Sequence, residues 1–136
     1  MEVYQWIHTA VAILTLSLLT ATALSKMRAK KYPRLHYTLA SSTVAGVIIT
    51  LGLAVYTVVQ CDCDDDWPAS FVIHLPLAFL LFLFVLGQAT MGVSMLLFGR
   101  KRRLFRAHQF NARIVLGTAT LVLLLGVTTV VLLLAG

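Results

Sequence analysis

The stretch 69–98, ASFVIHLPLAFLLFLFVLGQATMGVSMLLF, contains no Asp, Glu, Lys or Arg. Because a helix rises about 1.5 Å per residue, about 20 apolar residues cross the hydrocarbon core of a bilayer. Three more apolar stretches of comparable length lie at about 3–25, 35–59 and 108–134. Their hydrophobicity is continuous rather than alternating, which excludes a membrane β-barrel. We therefore predict an all-α transmembrane four-helix bundle, with residues 1–136 forming a single membrane domain.

Charge is distributed so unevenly that it predicts the orientation of this bundle. Ten of the eleven Lys and Arg residues fall in the loops 26–34 and 99–107. All five acidic residues lie at the other end, at Glu2 and in the loop 60–68. Because basic loops stay in the cytoplasm, both termini are predicted to lie outside the cell. The net charge of +6 is then a topology signal and does not indicate nucleic-acid binding. We expect a multi-pass protein of the plasma membrane.

The four histidines of the chain form two pairs at matched depths. His8 and His74 lie about five residues inside the outer ends of the first and third helices, whereas His36 and His108 begin the second and fourth helices from the cytoplasmic side. Histidine within a membrane is costly and usually faces the bundle interior. Interfacial placement or hydrogen bonding between helices is the alternative explanation. Neutral imidazole is a common axial ligand of haem iron, so the paired depths favour a metal or haem.

Helical periodicity points to two glycines as further candidates for cofactor contact. A position eighteen residues along a helix returns to the same face about 27 Å away. From His74 and His108 these positions are Gly92 and Gly126. A residue without a side chain would let a porphyrin lie against the backbone. Small residues also pack membrane helices together, which is the competing interpretation.

Two polar residues follow His108 on the fourth predicted helix. Arg113 and Asn111 are natural hydrogen-bond donors to the propionates of a haem held by His108. Extension of the Arg113 side chain to the cytoplasmic headgroups explains that residue equally well. Gln88 lies at mid-membrane on the face of the third helix that carries His74.

These features together resemble the four-helix core of the cytochrome b561 family. The resemblance rests on His8, the Lys-rich loop 26–34, Leu35-His36, Phe71-Val72-Ile73-His74-Leu75 and Arg106-Ala107-His108. It implies two haem b groups, one held by His8 and His74 and the other by His36 and His108. It also implies an electron-transfer oxidoreductase that relays electrons across the membrane. Covalent c-type attachment is excluded because no Cys-x-x-Cys-His motif is present.

The basic loop 26–34 is a plausible binding place for an electron donor. Lys30, Lys31 and Arg34 are suitably placed to bind an anionic reductant, which would be quinol-like or ascorbate-like. The additional flanking helices of eukaryotic members and a clear ascorbate motif are absent from the sequence. A homodimer is compatible with the sequence.

Parts of the sequence also suggest three other functions. Cys61 and Cys63 suggest a membrane thiol/quinone oxidoreductase, but such enzymes normally use a Cys-x-x-Cys pair and a second pair. A haem-modifying enzyme of the haem A synthase type is suggested by Trp6-Ile7-His8, although Gln5 replaces the glutamate of those enzymes. A small proton-coupled transporter needs a carboxylate within the membrane, and every acidic residue lies outside the predicted spans.

Overall fold

The computed structural model describes residues 3–26, 33–60 and 69–135, without the side chains of Tyr4 and Leu133. The described residues form four α-helices in chain order: α1 (Val3–Ser25), α2 (Pro33–Gln60), α3 (Ala69–Phe98) and α4 (Arg102–Ala135). Each contains a segment long and apolar enough to cross a membrane. The predicted all-helical fold, with four helices long and apolar enough to span a membrane, is therefore confirmed.

Two helices begin earlier than the sequence predicts. α2 begins at Pro33 rather than at residue 35, and α4 at Arg102 rather than at residue 108. The predicted starts marked the onset of hydrophobicity, whereas backbone hydrogen bonding continues into the polar flank. Proline is favoured at the first position of a helix because its missing N–H has no intrahelical acceptor there.

A glycine makes the connection between α3 and α4 short. Gly99 has φ of 80°, the left-handed conformation that ends helices and that side chains disfavour. The Lys101 carbonyl then accepts a hydrogen bond of 3.0 Å from the Phe105 amide, which begins α4. α3 and α4 thus form a tight antiparallel hairpin.

The four helices form a ring in chain order. α1 packs extensively on α2, and α3 on α4, while α2 contacts α3 less and α1 contacts α4 least. Across the diagonals of the ring, the described Cα atoms of α1 and α3 stay more than 8 Å apart, as do those of α2 and α4. The centre of the bundle is therefore occupied by side chains or open space and not by direct helix contact.

An apolar layer fills the middle of the bundle. Its buried members come from three helices: Val47, Leu81, Val85, Val115 and Ala119. α1 contributes the partly buried Leu16 and Leu19 to the same cluster. This layer divides the interior into an outer half, toward the α2–α3 connection, and an inner half, toward the α1–α2 and α3–α4 connections.

Small and hydroxyl side chains bring α1 and α2 close together. Thr15 lies 3.1 Å from Thr50 between their hydroxyl oxygens, and Thr22 lies 2.9 Å from Thr43. A Cβ atom added at Gly46 would lie 2.7 Å from the Thr15 hydroxyl. Close approach of this kind is typical of membrane helix pairs, in which hydrophobicity alone does not drive association.

Candidate functional site

The structure brings the four histidines together as two pairs on diagonally opposite helices. His8 of α1 and His74 of α3 lie near each other in the outer half, where both line one cavity. His36 of α2 and His108 of α4 lie near each other in the inner half. All four imidazoles are partly buried. Because diagonal helices do not contact each other, each pair approaches the bundle axis from opposite sides.

The outer pair lines a cavity. Its volume is about 270 Å³, and all four helices contribute to its walls. The walls are mostly apolar, with His8 and His74 among a few polar groups. Ala54 of α2 and Gly126 of α4 are also part of the lining. A concave, apolar site with a few polar groups is typical of a cofactor site in a protein.

His74 is held against the backbone of α4. Its Nδ1 atom lies 3.0 Å from the Val122 carbonyl oxygen. A carbonyl can only accept, so Nδ1 carries the proton and donates, which leaves the lone pair of the neutral ring on Nε2. Gly126, one turn further on α4, permits this approach, because an added Cβ would lie 3.1 Å from the His74 Cε1 atom.

His8 approaches α2 in a parallel way. It lies close to the backbone of Thr50, which is fourteen residues after His36, just as Val122 is fourteen residues after His108. The two hairpins therefore position their outer histidines by the same register. Unlike His74, however, His8 has a buried Nδ1 atom without a hydrogen-bond partner.

The inner histidine of the first hairpin is oriented by a serine. Ser25 donates its hydroxyl proton to the Thr22 carbonyl at 2.7 Å, and its Oγ lies 2.9 Å from Nδ1 of His36. With its only proton used, Ser25 accepts from His36. The neutral His36 ring therefore carries its proton on Nδ1 and its lone pair on Nε2.

The side-chain amides of Asn111 and Gln88 determine which ring nitrogen of His108 carries the proton. Asn111 Nδ2 donates to the Phe84 carbonyl at 2.9 Å and to Gln88 Oε1 at 3.0 Å. Because the Phe84 carbonyl can only accept, the NH2 group of Asn111 must face it, and Gln88 must then present its oxygen to Asn111. The NH2 group of Gln88 therefore faces His108, and Gln88 Nε2 donates to His108 Nε2 at 3.0 Å. The neutral His108 ring thus also carries its lone pair on Nε2. Its Nδ1 atom is buried without a partner.

Some of the other predicted site residues lie near the histidine pairs, and others lie away from them. Gly92 faces the inner pair, since an added Cβ would lie 3.8 Å from Cε1 of His108. Asn111 reaches His108 through Gln88. Arg113 and Arg34 are exposed at the inner half, and Arg113 is not in the Asn111 network. The predicted substrate residues Lys30 and Lys31 lie outside the described residues, as do Cys61 and Cys63.

Sequence reasoning missed the groups that orient the histidines. In the sequence, Ser25 is distinguished only as the end of the first apolar stretch, although it lies eleven residues before His36. The Val122 and Phe84 carbonyls carry no sequence signal, because every residue has a carbonyl. Gln88 was placed on the His74 face, and the structure shows that this face also meets His108.

No protein-family model, curated protein or solved structure matches this chain. What the site can hold therefore follows from its own residues. Within 3–26, 33–60 and 69–135, no three His, Cys, Asp or Glu side chains are grouped as they would be to hold a metal ion. Protein zinc sites normally need three or four such ligands. Two imidazoles on opposite sides instead suit a metal that brings its own equatorial ligands, as haem iron does.

Several observations fit haem at these positions. In the outer pair, Nδ1 of His8 is buried without a hydrogen-bond partner. In His36 and His74, a bond from Nδ1 leaves Nε2 as the ligating atom, which is the usual arrangement behind metal-bound histidine. The inner site differs in one respect, because Gln88 occupies Nε2 of His108. Ligation by His108 requires the Gln88 amide to turn away.

Proposed function

We propose that this protein is a dihaem b-type membrane cytochrome that relays single electrons across the bilayer. The observation that carries the proposal is the diagonal pairing of four imidazoles at two levels, with the lone pair on Nε2 in three of them. His8 and His74 would ligate the outer haem, and His36 and His108 the inner haem. A haem iron held by two imidazoles has no open position and transfers electrons rather than binding oxygen.

The chain's own residues would orient the ligands and exclude water. Ser25 and the Val122 carbonyl accept the Nδ1 protons of His36 and His74, which fixes both rings and leaves Nε2 free to bind iron. The apolar layer that includes Val85 and Val115 separates the two levels. Such a layer closes the interior to water and ions while leaving both sites within the same bundle. The protein thereby sets the surroundings of each group, and the cofactor supplies the redox chemistry.

The proposal also gives the orientation of the bundle in the membrane and the side on which the reductant binds. By the positive-inside rule, the inner pair faces the cytoplasm of a plasma-membrane protein and both termini lie outside. A quinol-like or ascorbate-like reductant would bind at the cytoplasmic end, where the side chain of Arg34 is exposed. Asn111, which is one bond from Gln88 in the inner network, is available to a propionate when Gln88 moves.

Visible spectroscopy with a haem-to-protein ratio tests the proposal. The protein would be purified from haem-replete cells as wild type, His8→Ala, His36→Ala and the double variant. We expect two low-spin b-type haems in the wild type, one in each single variant and none in the double variant. Thr9→Val is a matched control, because Thr9 adjoins His8, lines the same cavity and bonds only to the Gln5 carbonyl of its own helix. A colourless wild-type protein would refute the proposal.

A further inference from the structure

The cavity that holds His8 and His74 is open on one side. Its exposed lining side chains are Ile13 of α1 and Leu123, Val127 and Val131 of α4. The lining residues from α2 and α3 are all buried or half-buried. The three α4 residues recur every four positions and so form a stripe along one face of the helix. The mouth of the cavity therefore follows the seam between α1 and α4.

This seam is the weakest of the four in the ring. α1 and α4 contact each other far less than the two helices of either hairpin do. Behind the mouth, the lining includes the small residue Ala12 and Gly126, against which the His74 imidazole lies. The seam can therefore widen without breaking either hairpin.

The mouth faces lipid rather than water. Ile13 lies ten residues inside α1 and Val127 eight residues inside α4, counted from their outer ends, and both belong to membrane-spanning segments. Toward the outer end of the cavity, Thr57 and Thr129 are buried. The hydroxyl oxygens of Thr129 and Ser70 also lie 2.9 Å apart, a hydrogen bond that ties α4 to α3 at that end. The exposed part of the lining is thus lateral.

We propose that haem reaches the outer site sideways from the bilayer, between α1 and α4. This inference rests on the proposed function, since it assigns the ligand of the outer pair. The porphyrin ring of haem is planar and apolar and partitions into lipid. The apolar stripe of Leu123, Val127 and Val131 gives that ring a path along which no polar group of the protein loses contact with water. The path ends at His8 and His74, whose imidazoles are the polar groups able to hold it.

The rate of haem uptake tests the route. All substitutions are made in His36→Ala, which retains only the outer histidine pair. The haem-free protein is reconstituted in liposomes that carry haem. Val127→Trp places a bulky ring at the mouth, where the native side chain is 54% exposed. Val55→Trp is the matched control, since Val55 is 53% exposed at a similar depth on α2 and does not line the cavity. We expect uptake to slow several-fold in Val127→Trp and to be unchanged in Val55→Trp.

Testing Val127→Trp in a second variant shows whether slower uptake comes from a blocked route or from a damaged fold. In His74→Ala, only the inner pair remains, and Val127→Trp should then leave haem uptake unchanged. If Val127→Trp fails to slow the outer site, or if Val55→Trp slows it equally, the lateral route is wrong while the dihaem proposal stands. If the wild type takes up no haem at either level, both proposals are refuted.

A spin label reports on the opening without any haem. Cys61→Ser and Cys63→Ser remove the native thiols, and Ala12→Cys places a nitroxide on the cavity wall behind the mouth. We expect frequent collisions with oxygen, which dissolves in lipid, and few with a water-soluble nickel chelate. A label at Val55→Cys gives the lipid-facing reference. Preferential collision with the nickel chelate at Ala12 would show an aqueous opening and overturn the lateral route.

Discussion

The imidazole of His74 on α3 rests on Gly126 of α4, where an added Cβ would lie 3.1 Å from the ring's Cε1 atom. The same ring donates to the Val122 carbonyl one turn earlier on α4. With the ring in this position, a side chain at residue 126 would crowd it. The glycine is therefore part of the device that aims Nε2 of His74 into the cavity.

Gly126→Ala is predicted to impair the outer site. The added methyl group is too close to the ring, which must move by a few tenths of an ångström and lengthen its bond to Val122. We expect weaker haem binding at the outer level and unchanged binding at the inner level, measured by haem titration in the His36→Ala and His74→Ala backgrounds. Gly117→Ala is the control on the same helix, since nothing lies within 4 Å of a Cβ at that position. Equal outer-site affinity in both alanine variants would contradict the role of Gly126.

Ser25→Ala is predicted to weaken the inner site. The substitution removes the acceptor for Nδ1 of His36, so the ring loses both its preferred proton position and its orientation. Loss of such a partner typically lowers metal affinity about 10–100-fold. Haem titration of the inner site in the His74→Ala background measures the effect. Ser17→Ala serves as the control, because Ser17 is exposed on the same helix and bonds only to the Ile13 carbonyl. An inner-site affinity that Ser25→Ala leaves intact would rule out this positioning role.

Gly46→Ala is predicted to destabilise the bundle whether or not haem is bound. Its new methyl group would lie 2.7 Å from the Thr15 hydroxyl and would force α1 away from α2. Overpacking of this kind costs about 1–3 kcal/mol, which denaturant unfolding in detergent micelles can detect. Gly52→Ala, with nothing within 4 Å of the added Cβ, should be near neutral.

The contact between positions 46 and 15 can be tested by rescue. Thr15→Ala removes the two atoms nearest to the new methyl group, so Thr15→Ala with Gly46→Ala should lose less stability than the sum of the single losses. Additive losses would show that the cost of Gly46→Ala arises elsewhere.

Gln88→Leu and Asn111→Leu are predicted to be destabilising and coupled. Each removes a link of the chain from the Phe84 carbonyl to His108 and leaves a buried polar group without its partner. Hydrogen bonds between membrane helices are worth about 0.6 kcal/mol on average and up to about 1.7 kcal/mol. We expect single losses in that range, with the double variant losing less than their sum.

Equilibrium unfolding of the wild type, Gln88→Leu, Asn111→Leu and the double variant gives the coupling energy between the two side chains. Thr90→Ala is the control on α3, since Thr90 is exposed and bonds only to the Leu86 carbonyl. Strict additivity of the two leucine substitutions would show that the amides act independently and would remove the basis for the His108 tautomer.

Hydrophobicity and histidine depth were readable from the sequence because both are local properties. The uncharged run 69–98 predicted α3 with its observed bounds, and the start of α4 was missed because Arg102 and its neighbours are helical but polar. Histidine depth depends only on distance from a helix end, so His8 could be matched with His74 before any contact was known.

The orientation of each imidazole could not be predicted in the same way. His74 meets a carbonyl 48 residues away on another helix, and a backbone carbonyl is chemically the same at every position of a sequence. Ser25 and Gln88 orient His36 and His108 only because the hairpins pack with one particular rotation about their axes. Rotation arises from the sum of many weak contacts, so no single residue encodes it.

The four apolar helices and the levels of their histidines could be predicted from the sequence, since lipid selects for uncharged runs of sufficient length. The diagonal pairing, the lone pairs on Nε2 of His36, His74 and His108, and the opening of the outer cavity between α1 and α4 could not, because they arise when the helices pack together. These properties depend on which helices become neighbours and how closely they approach. Small residues such as Gly46 and Gly126 set those distances, and their effect exists only where a second helix lies against them.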